Sequence, residues 1–142
     1  MSYNIEQANS GNLALTAGGL AAGTTASQLK TVNTITFLSN GVFKSKTAVA
    51  AITLSGTQLA IGQACLFAVF LDSGGNVTVT QGPIVAAGDP CPVPAFSSTG
   101  TTVIGLAKVT TTSAVFTPGT TLLGTGNTPA YFDVGLMPGT AL

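Results

Sequence analysis

The chain has 142 residues with a formal net charge of zero, 6% charged and 45% hydrophobic residues, and no histidine or tryptophan. That length suits a single domain burying roughly 70% of the surface its unfolded chain exposes, with no need of a metal or disulfide staple. Four lysines without any arginine argue against phosphate or nucleic-acid binding, and the missing histidine removes the usual general base and commonest metal ligand.

Met1 to Ser10 is polar and lacks the basic start and apolar centre of a signal peptide, so the chain is expected to stay in the cytoplasm that makes it. Residues 1–28 are rich in Gly, Ala, Ser and Thr, with Leu13, Leu15 and Leu20 as the sizeable anchors. This composition fits an N-terminal arm, flexible or ordered by a partner, ahead of a domain over 29–142. Leu13 and Leu15 stand at strand spacing, so an edge strand over Leu13 to Thr16 followed by a long loop is the other reading.

Between Leu29 and Thr47, Asn40-Gly41 separates two runs rich in β-branched and aromatic residues, the strongest short-range hairpin signal. A type I′ turn places Leu38 opposite Phe43, and puts Ile35 and Phe37 on the face of Lys46 and Lys44. Lysine stems can lie along apolar side chains while keeping their charge in water, and lysines on an edge strand discourage stray pairing. A salt link from Lys44 and Lys46 to an acidic partner surface is the functional alternative. Ala48 to Ser55 continues as a strand with Ile52 and Leu54 on one face.

Cys65 to Gly82, CLFAVFLDSGGNVTVTQG, organises the chain. Cys65, Phe67, Val69 and Leu71 fall on one face of a strand and Leu66, Ala68 and Phe70 on the other, so both faces need cover, from a second sheet and from another layer or subunit. Phe67 and Phe70 are thereby candidates for the core or for a subunit interface. The return strand alternates Val77 and Val79 with Thr78 and Thr80. A two-residue turn sets Phe70 opposite Val79, and a three-residue bulged loop sets Val69 there.

Gln81 to Phe96 carries four prolines and cannot supply a central ladder. It reads as a surface loop that contacts a partner or packs over one end of the domain through Val93 and Phe96. Thr101 to Thr110 is a second doubly apolar strand, with Val103, Gly105, Ala107 and Val109 alternating against Ile104, Leu106 and Lys108. Val115 to Thr117 is a short strand ended by a Pro118-Gly119 type II turn, and Tyr131 to Val134 is the last. Seven to nine short strands with no helix give an all-β class, a single-domain antiparallel β-sandwich or barrel, jelly-roll-like.

The four carboxylates, Glu6, Asp72, Asp89 and Asp133, fall in separate segments with no sign of a catalytic pair. Asp72 in DSGGN reads as a turn residue bonding its own backbone. Cys65 lacks a basic neighbour to activate it, and Cys65 and Cys91 can pair in an oxidising compartment or remain free thiols. The Gly-rich pieces lack the lysine of a phosphate loop. These residues predict a non-enzymatic protein with no cofactor and no metal. No uninterrupted apolar run approaches the roughly 18 residues of a membrane span. Low charge leaves the surface poorly protected against association, so other subunits are expected to cover much of it.

The pieces TVNTITFLSNGVFKSKT, CLFAVFLDSGGNVTVTQG and VTTTSAVFTPGTTLLGTG, behind a Gly/Thr-rich arm, resemble small all-β structural proteins of tailed bacteriophages, above all the capsid decoration, or cement, proteins. The likeness spans Leu13 to Val134. It implies a homo-oligomer, typically a trimer, on the outside of the virion, bound to the major capsid protein and bridging neighbouring capsomers. A phage tail or fibre-tip protein that binds a host receptor is the alternative.

Overall fold

In the computed structural model, which describes residues 11–25, 28–95 and 100–135, every regular element is a strand. In chain order these are β1 (Leu13–Ala14), β2 (Leu20–Ala22), β3 (Gln28–Thr31), β4 (Ile35–Ser39), β5 (Val42–Lys46), β6 (Ile52–Thr53), β7 (Gln63–Asp72), β8 (Val77–Gln81), β9 (Val85–Ala86), β10 (Thr101–Thr111) and β11 (Asn127–Asp133). The all-β expectation holds. The strand number exceeds seven to nine because β2 and β9 are short pairings in stretches read as arm and loop, and the run before Asn40 is divided into β3 and β4.

The strands form three antiparallel sheets, none closed into a barrel. The largest has the order β11-β10-β7-β8, with β9 paired to the start of β7; the others are β1-β4-β5 and β2-β3-β6. β7 is buried over all but its end residues and sits between β10 and β8, as its apolar faces require. One face, Cys65, Phe67, Val69 and Leu71, joins the main core with Leu20, Leu29, Ile35 and Phe37 from the two small sheets. The other, Leu66, Ala68 and Phe70, forms a second cluster with Val103, Leu106 and Val134, against which Cys91 packs. Both faces are thus covered from within the chain.

The β7–β8 connection takes the three-residue form: Val69 stands opposite Val79, Asp72 N–H donates to Asn76 C=O at 3.0 Å, and Gly75 has φ 79°. In β10 the strict alternation fails. Val103 pairs with Phe70 and Gly105 with Val69, so Ile104 is the extra residue of a bulge. Ile104 consequently joins Ala107 and Val109 in the main core, and Val103 turns to the second cluster.

Of the arm expected over 1–28, residues 11–25 pair with strands of the domain, and β1 is an edge strand as in the other reading; residues 1–10 and 26–27 lie outside the described residues. Leu13 pairs with Leu38, and Leu20 with Thr31, and both leucines are buried. The small residues that suggested weak packing permit close approach instead: a Cβ on Gly18 would meet Ile35 Cδ1 at 2.8 Å. Two other strands come out shorter than expected. Of Ala48 to Ser55 only Ile52–Thr53 pairs, although Ile52 and Leu54 are both buried, and Val115 to Thr117 reduces to one bridge between Leu59 and Phe116. The Pro118-Gly119 turn is formed, with Gly119 at φ 83° and Thr120 N–H donating to Thr117 C=O at 3.1 Å.

Candidate interaction surface

The hairpin of β4 and β5 carries the most exposed large apolar side chain among the described residues, Phe43, at 72% exposure, beside Val42 at 57%. Asn40 and Gly41 adopt φ 50° and 79°, a type I′ turn whose twist matches the flanking strands, and Leu38 stands opposite Phe43 as the dipeptide predicts. β4 turns Ile35, Phe37 and Ser39 inward; Phe43 and Ser45, opposite Leu38 and Thr36, face out. β5 is an edge, so among the described residues no strand lies beside its outer backbone groups.

Lys44 and Lys46 lie opposite Phe37 and Ile35, half-buried, as charges placed on the core side of an edge strand. The Lys44 ammonium donates to the Ser73 carbonyl in the β7–β8 turn, which fastens the exposed hairpin to the central one. That turn is held by Asp72, whose Oδ1 accepts from Gly74 N–H and Asn76 N–H at 2.8 Å each and whose Oδ2 accepts from Asn76 Nδ2 at 2.9 Å. These bonds, the Asn76 side chain first, hold the Asp72 carboxyl below its ordinary range. Asp72 is therefore a turn residue, as its sequence context suggested.

The other candidate contact residues separate. Leu13 and Leu20 are core, Leu15 is half-buried with its N–H donating to Thr36 C=O at 2.9 Å, and Leu20 N–H donates to Asp133 Oδ1 at 2.9 Å. Phe67 and Phe70 are buried within the chain, so the core reading of β7 replaces the interface reading. Val93 is 41% exposed and does not pack the proline-rich loop down; Pro94 is buried beside it, and Phe96 lies outside the described residues.

Nothing in the residue pattern singled out Val42 and Phe43, because a Val-Phe pair after Asn-Gly reads as any buried strand. Its one usable signal was Ser45 sharing a face with Phe43. At the far end of the β7–β10 ladder, Ile61 and Val115 are also exposed, flanking the Leu59–Phe116 bridge.

Among the described residues no three His, Cys, Asp or Glu side chains gather to hold a metal, and no helix is long and apolar enough to cross a membrane. Cys65 and Cys91 are both free thiols. Burial pushes the Cys65 thiol up to about 11, partly opposed by a contact from Gln81 Nε2 at 3.6 Å. Gln81 also pairs its amide with the Thr57 main chain, accepting from N–H at 2.6 Å and donating to C=O at 2.8 Å. Compared with family models, curated proteins and solved structures, the chain matches none.

Proposed function

We propose that this chain is a non-enzymatic virion structural protein, a decoration protein that attaches to the outside of a bacteriophage capsid as a homo-oligomer and bridges neighbouring capsomers. The observation that carries the attachment reading is the Val42–Phe43 tip, an apolar pair displayed on a turn of fixed geometry and tied back by Lys44. Apolar anchors on rigid supports contribute most of the affinity in protein contacts, since little ordering entropy opposes them. With 6% charged residues, docking this surface desolvates few ions. The assignment to a phage capsid rests on the sequence resemblance.

A protein that binds assembled shell in preference to free subunits stabilises the shell by linkage. The test is co-sedimentation with capsids, with light scattering of the free protein. Multimers that pellet with shells in many copies per particle are expected, and Phe43→Ser should weaken pelleting while leaving the protein folded. A monodisperse monomer that ignores capsids would overturn the reading, and a few copies confined to tails would replace it with the receptor-binding alternative.

A further inference from the structure

Asn40 is the one asparagine in the chain followed by glycine, and the one described non-glycine residue with positive φ, at 50°. Asparagine side chains cyclise when the main-chain nitrogen of the next residue attacks the side-chain amide carbon, and glycine there leaves the approach unhindered because it has no Cβ. Asn40 and Gly41 are both exposed, so water and base reach them. Two hydrogen bonds oppose the attack. Gly41 N–H, the would-be nucleophile, donates to Gly11 C=O at 2.9 Å, and Asn40 N–H donates to Asn12 Oδ1 at 3.0 Å. Asn12 is itself buried, directly before β1.

We propose that Asn40-Gly41 is the deamidation site of this protein, and that Gly11 and Asn12 form a latch that suppresses the reaction while β1 lies on β4. For the step to occur, Gly41 nitrogen must leave Gly11, rotate onto Asn40 Cγ and lose its proton as the N–Cγ bond forms. The Cγ–Nδ2 bond breaks and the side-chain nitrogen departs, with that proton, as ammonia. Water then opens the succinimide. Cleavage at Cγ gives aspartate; cleavage at the main-chain carbonyl gives isoaspartate, with one more backbone atom in the turn. Aspartate-glycine still suits a type I′ turn, so that product keeps the hairpin and adds one negative charge to a neutral chain. Isoaspartate cannot keep the register that presents Val42 and Phe43. This latch is independent of the capsid reading.

The test incubates the full chain in mildly alkaline buffer with and without urea, following Asn40 by peptide mass spectrometry and isoaspartate by methyltransferase labelling. Native protein should react about tenfold or more slowly than unfolded chain, a local opening free energy of at least ~1.4 kcal/mol. Asn12→Ala should erase much of that protection, and Asn12→Asp, which keeps an oxygen acceptor, should retain it. Should Asn12→Ala fail to fold, hydrogen exchange at Gly41 in the native wild type replaces it, and slow exchange is expected. Equal native and urea rates, a folded Asn12→Ala reacting at the wild-type rate, fast exchange at Gly41, or earlier reaction at another asparagine would each overturn the proposal.

Discussion

The β7–β8 and β4–β5 hairpins are built from the same kinds of residue and meet opposite fates. β7 carries aromatic and aliphatic side chains on both faces, and each face is covered, one by the small sheets and the other by the second cluster. β5 also begins with an apolar pair, yet Val42 and Phe43 stand exposed because the strand is an edge and, among the described residues, nothing packs over them. Apolar character therefore reports core in one hairpin and contact surface in the other, and position in the sheet order decides which.

The contrast is tested most directly by matched substitutions. Phe67 is fully buried, with its ring 6.3 Å from that of Phe116, edge to face. Phe67→Ala should cost about 3–5 kcal/mol by chemical denaturation, and Phe67→Asp should prevent folding; Phe43→Ala should stay within about 0.5 kcal/mol of wild type. Comparable losses at both positions would mean that Phe43 is covered in the folded protein.

A smaller effect is expected at the join between the central ladder and the loop before it. Thr111, buried at the end of β10, accepts from Gln63 N–H at 2.9 Å, with its hydroxyl 2.6 Å from Ala60 C=O and 2.9 Å from Gln63 C=O. Its single proton can serve one of those carbonyls. Thr111→Val keeps the shape but leaves these groups unpaired, which should lower stability by about 1–3 kcal/mol in the same assay.

The smallest effect is one of pH. The Cys65 thiol is raised from an ordinary value of 9.0 to about 11 by burial, so the folded state holds its proton more tightly than the unfolded chain. The resulting stability is fully present below pH 9 and lost as pH rises through 11. Thiol labelling near pH 8 should therefore modify Cys91, which is partly accessible, well before Cys65. Equal labelling rates would mean that β7 opens readily. Asp72 gives the opposite sign: its lowered carboxyl stabilises the turn above the ordinary carboxylate range and loses that effect as pH falls further.

Local chemistry was legible where the chain decides it alone. Asn40-Gly41 set both the turn type and the Leu38–Phe43 pairing, and alternation along Cys65 to Leu71 assigned each side chain to its face, because a strand's period of two needs no partner to define it. The all-β class followed from the same patterns. Three things required the folded chain. The bulge at Ile104 reversed the expected faces of Val103 and Ile104, since it depends on matching β10 to β7. The segment 11–25 joined the domain because glycines let it approach β3 and β4 closely, a fit that composition cannot express. The exposure of Phe43 followed from the sheet order β1-β4-β5, since which strand lies at an edge is fixed by contacts between residues distant in sequence.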